Sequence, residues 1–327
     1  MFIAGMLKSC NLFYYFYGMS MSYMKLLPFL GFSLYFLFAS YTVAGETEFF
    51  NNNANLIKAK LDNSSLGVPI FIQSNDGEKK VSAEVYGKLS YTFGEVQNAL
   101  SSPANWCEIV TLNLNIKACT HRSNHKPIGL DVYVGGKEYE TPEDAYVLNY
   151  QYHLEKNTQD TISILLAANE GPMSTSNHRI ELQAIPAQNG TYLRIRTSYE
   201  PSFYSRIATS TYLKTLGRNK IGFSVVANGE NGDPRYVKGI KGVIERNVMR
   251  YYLATVAFLD TRDLPQADQF RTRSLRWFNL TEQFVRQLHE MERTEYLNTK
   301  QLERRNQYIL QARLNDNTNI SLKNQSM

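Results

Sequence analysis

The stretch VSAEVYGKLSYTFGEVQNALSSPANW, residues 81–106, passes from a strand pattern into a helix pattern with no long loop between the two. Its first part, together with the preceding VPIFIQS and NDGE, predicts an antiparallel hairpin with Asp76 and Gly77 in the turn. Its second part carries apolar residues at helical spacing, namely Phe93, Val96, Ala99 and Leu100. Ser102 and Pro103 predict the start of a second short helix, because proline is favoured in the first helical turn.

The segments that follow predict an antiparallel meander that leads into a long helix. Five strand-like segments, IGLDVYV, YVLNYQYHLE, TISILLA, HRIELQAI and TYLRIRTSYE, are mostly separated by turns that are polar or contain Gly or Pro. SFYSRIATSTYLKTL predicts a helix that Gly217 closes, and KIGFSVVANGENGDPRYVKGIKG predicts a second hairpin. VIERNVMRYYLATVAFL, residues 243–259, predicts a helix of about four turns.

This order of elements resembles the START/Bet v 1-like (SRPBCC, helix-grip) superfamily. The resemblance is carried by VSAEVYGKLSYTFGEVQNALSSPANW and GVIERNVMRYYLATVAFL, which bracket residues 68–260. The pieces FGEVQNALSSPANWCEIV and LNIKAC also resemble a group of exported bacterial proteins without an assigned function. The resemblance implies an α+β fold, in which a curved antiparallel sheet grips a long C-terminal helix around an apolar cavity. The helix at 203–216 and the helical tail beyond 264 depart from that pattern.

The first 44 residues have the layout of a secretory signal peptide. They contain no Asp or Glu, and MKLLPFLGFSLYFLFASYTVAG, residues 24–45, joins Lys25 to an apolar run of about 16 residues and then to small residues around Ala44. A spanning helix needs roughly 20 apolar residues. We therefore favour cleaved export to the periplasm or the extracellular space, with translation starting at Met24 rather than Met1. The alternative is an uncleaved segment that anchors the chain in the inner membrane.

The expected organisation has five parts. They are 1–44, a signal peptide or N-terminal extension; 45–67, a polar lead-in; 68–262, the START-like helix-grip domain; 263–315, an extra helical tail; and 316–327, a disordered end. The tail is charged between apolar residues that fall near heptad spacing, which is typical of one or two long helices.

Cys107 and Cys119 lie in NWCEIVTLNLNIKACTHR, and their role depends on the compartment. A zinc site built from Cys119, His121 and His125 would lack the usual CxxC spacing, and a catalytic cysteine would need a base that the sequence does not mark. In an oxidising compartment a disulfide is favoured. The segment TLNLNIKAC alternates strictly, which predicts a strand with Leu112, Leu114, Ile116 and Ala118 on one face and Asn113, Asn115, Lys117 and Cys119 on the other. A straight strand over 112–119 would hold the two cysteines too far apart, because bridged Cα atoms lie within about 7 Å. A disulfide therefore requires this strand to be short, bent or bulged.

The candidate ligand contacts are residues that would line a helix-grip cavity. We assign to this role Trp106, Tyr150, Tyr152, Tyr199, Arg250 and Tyr251. Tyrosine offers apolar area and a hydroxyl that orients a ligand, although ordinary core packing is the alternative for each single residue. Arg246 and Arg250 begin the long helix, where they would contact an anionic headgroup or form an ion pair with Glu245 or another acid.

The tail suggests two further partners. Its Arg residues, with Trp277 and Phe284, would suit an anionic membrane surface, whereas interspersed acids such as Glu282 favour helices packed on the domain or on a second copy. Membrane contact or a homo-oligomer through 265–315 thus both stay open. The formal charge of +5 falls to +3 without Lys8 and Lys25 of the N-terminal 44 residues, which is too small to imply a nucleic-acid partner.

The expected function is therefore non-catalytic binding of an apolar or amphipathic, lipid-like small molecule by an exported envelope protein. No Ser-His-Asp order, phosphate loop or metal-ligand cluster stands out, so the sequence assigns no catalytic residue, no metal and no cofactor. One alternative is an enzyme of cyclase or hydrolase type on the same scaffold. The other is an interaction module that acts through the C-terminal helices.

Overall fold

A computed structural model describes residues 54–122, 128–215, 217–229 and 232–325. The expectations for residues 1–44, including the signal peptide, the membrane anchor and the start codon, lie outside these residues. So does His125. Within the described ranges, no helix combines the length and the apolar character that crossing a bilayer requires.

The described residues form ten strands and eight α-helices. The strands are β1 (Ile70–Asp76), β2 (Val81–Leu89), β3 (Ile116–Arg122), β4 (Gly129–Val134), β5 (Tyr146–Asn157), β6 (Ile162–Glu170), β7 (Ser176–Ala187), β8 (Gly190–Glu200), β9 (Val225–Asn228) and β10 (Pro234–Tyr236). The helices are α1 (Ala54–Asp62), α2 (Phe93–Leu100), α3 (Pro103–Val110), α4 (Phe203–Lys214), α5 (Gly239–Thr261), α6 (Gln266–Glu282), α7 (Val285–Leu288) and α8 (Arg293–Gln325).

Eight of the strands form one curved antiparallel sheet in the order β1-β2-β8-β7-β6-β5-β4-β3. The long helix α5 packs against β1, β2 and β8, and against α3 and α6 on its other side. A curved sheet around one side of a long helix is the helix-grip arrangement that the sequence predicts. The hairpin β9–β10 forms a separate two-stranded sheet between α4 and α5, and it too lies where the sequence predicts a hairpin.

The two short helices begin where the sequence signals them. Thr92 accepts a hydrogen bond from the Glu95 backbone, and the Glu95 side chain accepts one from the Thr92 backbone, so α2 starts with a complete capping box. Pro103 occupies the first turn of α3. These caps fix α2 and α3 between β2 and β3, at one end of the sheet.

Helix α5 is buried on nearly all of its faces. Val248, Ala254 and Ala257 have no exposed surface, because the sheet covers one side of the helix and α3 and α6 cover the other. Gly87 on β2 allows the Tyr252 side chain of α5 to lie directly against the strand, since a Cβ at this position would lie 2.1 Å from the Tyr252 hydroxyl. The core therefore depends on a glycine that the pattern of β2 alone does not explain.

The strand predicted over 112–119 is shorter than the alternation suggests. Residues 111–115 form turns after α3, β3 begins only at Ile116, and its pairing with β4 shifts register between Ile116 and Ala118. The Cα atoms of Cys107 and Cys119 therefore lie 5.1 Å apart, and the two cysteines form a disulfide. The disulfide and the short, bulged strand that it requires are both present.

Loss of this disulfide should destabilise the domain. Replacing both Cys107 and Cys119 by alanine is expected to lower the free energy of unfolding by about 3 kcal/mol, because the bridge closes a loop of about 13 residues in the unfolded chain. Urea unfolding with and without a reductant measures the effect. Reductant should lower the midpoint of the unmodified chain and leave that of the double variant unchanged. An unmodified chain whose midpoint does not move after both thiols have been freed would contradict this expectation.

The edge of the sheet that β3 forms is covered by α8. Gln307 accepts a hydrogen bond from the Cys119 backbone N–H at 3.1 Å, and Gln311 accepts one from the His121 N–H at 2.9 Å. Gln311 also donates to the His121 carbonyl at 3.1 Å. These two glutamines replace part of a neighbouring strand, which leaves fewer edge groups to pair with another chain. Asn113, Asn115 and Lys117, which the alternation places opposite the apolar face, are buried as well.

The tail belongs to the same core as the sheet. Trp277, Phe278 and Tyr296 pack together in it, with ring centroids of Trp277 and Tyr296 5.1 Å apart. Several of the arginines expected at a membrane surface are used inside the domain, since Arg273 and Arg304 both pair with Glu108. Helix α8 continues to Gln325, through most of the segment 316–327 for which the sequence predicts disorder.

Candidate functional site

A small pocket lies between α5 and the face of the sheet that this helix covers. Its volume is about 60 Å³, and its apolar wall is formed by Val134, Tyr150, Ile180 and Ile244. Sites for drug-sized ligands usually enclose about 300–1,000 Å³. The pocket therefore has room for a few waters or a small chemical group.

Two buried hydroxyls at this pocket have no hydrogen-bond partner within the described part of the chain. They belong to Thr197 and Ser198 on β8, which line the pocket and are 8% and 3% exposed. Thr197 lies opposite Ile180 in the β7–β8 register, so it shares the face of a residue in the apolar wall. Ser198, the next residue of the strand, points to the other face of the sheet. Because nearly all buried polar groups in proteins are paired, the unpaired Thr197 hydroxyl is suited to a ligand atom.

The chain enters β7 through an irregular segment that forms one side of the pocket. Met173, Ser174 and Asn177 have positive φ angles of 56°, 57° and 51°. The pairing of β7 with β8 shifts register between Ser176 and Arg179, which is a β-bulge. Backbone conformations of this kind collect at functional sites, where they redirect side chains. Here the bulge places His178 beside Tyr199, with the two rings stacked at a centroid distance of 5.5 Å.

The protonation state of His178 follows from its contacts. Burial lowers its pKa to about 4, so the imidazole is neutral near neutral pH. The Thr175 hydroxyl donates its one proton to the Pro172 carbonyl at 2.7 Å, so at 2.8 Å it accepts from His178 Nε2. This assigns the proton to Nε2 and leaves Nδ1 as an acceptor. A general base works best with a pKa near the working pH, so His178 is better suited to hydrogen bonding than to proton transfer.

The tyrosines of the pocket are also neutral hydrogen-bonding groups. Burial raises the pKa of Tyr199 to about 12 and raises those of Tyr150 and Tyr251 further. The phenol protons therefore stay in place at any physiological pH. Arg179 is the only charged residue among those that line the pocket in the described part of the chain. The lining thus combines an apolar wall, neutral donors and acceptors, and one positive charge.

Three of the six candidate ligand contacts line this pocket, namely Tyr150, Tyr199 and Tyr251. The other three, Trp106, Tyr152 and Arg250, do not line it. Trp106 is 1% exposed and donates to the Leu100 carbonyl at 2.9 Å, inside the core. The Tyr152 hydroxyl donates to the Ser101 carbonyl at 2.7 Å and ties β5 to the α2–α3 corner.

Arg250, the remaining candidate, lies in a buried charge cluster around Glu290. The Glu290 carboxylate lies 2.5 Å from Lys220 Nζ, 3.2 Å from Arg250 and 3.8 Å from Arg246. Arg246 and Arg250 thus pair with an acid of the tail rather than with Glu245. Glu245 instead accepts hydrogen bonds from the backbone of Phe223 and Ser224 and from the side chains of Ser224 and Ser74.

Sequence reasoning missed His178, Ser198 and Asn247 as lining residues. Strand alternation alone does not place His178, because the bulge just before it shifts the register. The one local signal is Asn177, since asparagine tolerates a positive φ better than most residues and therefore suits a bulge.

The described residues contain no group of three or more His, Cys, Asp or Glu side chains that would hold a metal ion. Cys119, one of the three ligands considered for zinc, is used in the disulfide.

Comparisons with known proteins bear on the arrangement of the chain alone. No protein-family model matches the sequence, and no curated protein matches it. Similar solved structures include the di-domain aromatase/cyclase StfQ from the steffimycin biosynthetic pathway, which is 12% identical over 56% of this chain with a TM-score of 0.35. The match spans 50% of the StfQ chain.

Two further similar structures match this chain over most of their own length. The Zhui aromatase/cyclase from Streptomyces sp. R1128 is 11% identical, with 57% of this chain and 98% of that chain covered and a TM-score of 0.32. A START superfamily protein from Mycobacterium smegmatis is 18% identical, with 43% and 92% covered and a TM-score of 0.26. Scores this low carry no argument about ligand or activity.

Proposed function

We propose that this chain binds a small apolar or amphipathic molecule in the pocket beside α5, without catalysing a reaction on it. The observation that carries the proposal is the buried hydroxyl of Thr197, which lies next to an apolar wall and has no hydrogen-bond partner in the described part of the chain. A ligand that brings a hydrogen-bonding atom to this hydroxyl would satisfy a group that is costly to leave unpaired.

The size and charge of the pocket narrow the ligand class. A volume of about 60 Å³ admits a small molecule, or one end of a longer molecule whose remainder stays outside. Arg179 is the only lining charge in the described part of the chain, so an acidic end group is favoured over a basic one. A lipid-like ligand therefore fits best as a partly inserted carboxylic acid.

Replacing Thr197 by valine should weaken ligand binding without unfolding the protein. The probes are straight-chain carboxylates from butanoate to decanoate, titrated by calorimetry. Loss of one hydrogen bond is expected to lower their affinity by about fivefold, while removal of an unpaired buried hydroxyl leaves the free protein at least as stable.

The matched control is Thr281→Val in α6. Thr281 is also buried, but its hydroxyl donates to the Phe278 carbonyl at 2.7 Å, away from the pocket. This variant should bind the carboxylates as the unmodified chain does. The proposal fails if no carboxylate binds, or if both variants bind equally well. Mass spectrometry of organic extracts of the purified protein then identifies the natural ligand, and consistent recovery of none would also count against the proposal.

We also propose that the protein works outside the cytoplasm. The buried Cys107–Cys119 disulfide supports this location, because such bonds persist in oxidising compartments. The signal-peptide pattern of residues 24–45 supports it independently. Non-reducing mass mapping of protein recovered from its native compartment should find the bridge, and two free thiols there would refute the proposal.

A further inference from the structure

The segment 201–241 between β8 and α5 presents the most exposed apolar side chains of the described structure. Phe203, Tyr204 and Val226 are 72%, 76% and 62% exposed, the three highest values among its large apolar side chains. Such residues rarely cluster in one segment without a partner. We call residues 201–241 the insertion.

The insertion also concentrates positive charge. It contains seven Lys and Arg against two Asp and Glu, a net charge of +5, which equals the net charge of the whole chain. Five of these cations are exposed and form no ion pair within the described part of the chain: Lys214, Arg218, Arg235, Lys238 and Lys241. Several of the tail arginines, by contrast, are paired with Glu108 or Asp260.

The exposed residues of α4 form one helix face. Phe203, Ile207, Thr211 and Lys214 are spaced by four, four and three residues, so they lie along a single stripe. The stripe is apolar at its start and basic at its end. The surface of a bilayer with negatively charged headgroups would match this stripe. Its acyl chains would contact the apolar start of the stripe, and its headgroups would contact the basic end.

Contacts at several points fix the insertion on the domain. Ser202 donates to the Met173 carbonyl at 3.0 Å, and Arg206 lies 3.0 Å from Asp76. Glu245 holds the backbone of Phe223 and Ser224. These contacts hold α4 and its exposed stripe in a fixed orientation on the domain. Binding therefore does not have to order the helix first, which lowers the entropic cost of binding.

A groove beside the hairpin adds a site of headgroup size. Its volume is about 500 Å³, and Arg235, Lys238 and Arg286 line it together with Tyr236. The Arg286 guanidinium lies 5.4 Å from the centre of the Tyr236 ring. Several cations around an aromatic ring suit a phosphate-bearing group at a membrane interface.

We propose that the insertion docks the protein on the surface of a bilayer that contains anionic phospholipid. The rings of Phe203 and Tyr204 enter the interface, and the exposed cations contact the anionic headgroups. A second copy of the chain is a poorer occupant, because a twofold contact would bring two surfaces of charge +5 together. Nucleic acid would use the cations but would leave the apolar stripe without a role. The inference does not depend on the pocket ligand.

Co-sedimentation with vesicles tests the proposal. Vesicles of phosphatidylcholine mixed with phosphatidylglycerol should bind the protein at low salt and release it at high salt, whereas phosphatidylcholine alone should not bind it. Replacing Phe203 and Tyr204 together by serine should lower the binding constant by about tenfold, and Lys214→Glu with Arg218→Glu should lower it at least as much. Both pairs are exposed, so the fold is retained.

Matched controls lie on the tail. Tyr308 and Ile309 are 57% and 42% exposed, and their replacement by serine should leave vesicle binding unchanged. Arg271→Glu with Arg305→Glu keeps the same charge change on another exposed surface. Equal loss in control and insertion variants overturns the proposal, as does binding that the charge variant weakens and the Phe203–Tyr204 variant does not. Self-association that requires Phe203, with no vesicle binding, overturns it in favour of a second copy.

Discussion

Replacing Glu303 by alanine is expected to lower the free energy of unfolding by about 3–5 kcal/mol. The Glu303 carboxylate lies 2.9 Å from Lys117 Nζ and 2.7 Å from Lys300 Nζ, and the two lysine side chains are 0% and 1% exposed. Each ammonium also donates to two backbone carbonyls: Lys117 to Leu114 and Glu138, and Lys300 to Asn113 and Ile116. The variant would leave two buried positive charges side by side without their counter-charge.

The effect should depend on pH in a defined direction. Burial lowers the pKa of Lys300 to about 8, since it outweighs the attraction of Glu303, and the charge of Lys117 adds to the lowering. Without Glu303 this pKa should fall further. In the variant Lys300 therefore loses its proton below about pH 8, and a neutral amine needs no counter-charge. The destabilisation should therefore be largest below the lowered pKa of the variant, shrink as the pH rises from there to about 8, and stay constant above that pH.

Urea unfolding at several pH values measures both effects. The control is Glu295→Ala, which removes an exposed carboxylate from the first turn of the same helix and should cost less than about 1 kcal/mol. A cost for Glu303→Ala no greater than that of the control would show that the lysines are not held as charged groups.

Replacing Glu290 by glutamine is the second large expected loss, again about 3–5 kcal/mol. Glu290 is 3% exposed and faces Lys220, Arg250, Arg246 and, at 3.8 Å, Lys137. It joins the tail to the start of α5. Glutamine keeps the shape of the side chain but removes the charge that the buried guanidinium groups of Arg246 and Arg250 require.

The pKa values of Glu290 and Lys220 are both lowered, but for different reasons. Burial alone would raise the pKa of Glu290, but Arg250 and Lys220 outweigh burial and hold it below its usual value. Burial lowers the pKa of Lys220 to about 8 even though Glu290 opposes that change.

The direction in which stability changes with pH follows from the lowered pKa of Glu290. Its contribution is fully present above the unfolded-state pKa of about 4.3 and is lost as the pH falls through the lower pKa of the folded state. The unmodified chain should therefore lose more stability than Glu290→Gln between about pH 5 and pH 2, and the two unfolding curves should converge in acid. Curves that stay parallel through this range would assign the loss to packing instead of charge.

Local signals in the sequence were sufficient for most of the sheet and for the first helices. The Asp76-Gly77 turn, the Thr92–Glu95 cap and the apolar spacing of α2 each depend on residues close together in the chain, and each is present. The prediction of a strand over 112–119 was wrong for the first half of that segment. The alternation there is typical of a strand, whereas residues 111–115 form turns and both sets of side chains are buried.

The buried ion pairs, the packing of the tail and the lining of the pocket depend on residues far apart in the chain. Nothing local to Lys117 indicates that its partner is Glu303, which lies 186 residues later. The tail pattern predicts helices, but periodicity does not say which surface a helix will cover. At the pocket, Tyr150 and Tyr251 are aromatic residues of the expected elements, whereas His178 reaches its place through a bulge that alternation hides.

The glutamines of α8 also impose an order in time on the synthesis of the chain. Gln307 follows its partner Cys119 by 188 residues, and Gln311 follows His121 by 190. At about 5–20 residues per second, the ribosome needs about 10–40 s to supply them after β3 has been made. During that interval the outer edge of β3 lacks the side chains that cover it, and unpaired strand edges in incomplete chains promote aggregation. The last helix thus sets how long a newly made chain remains vulnerable.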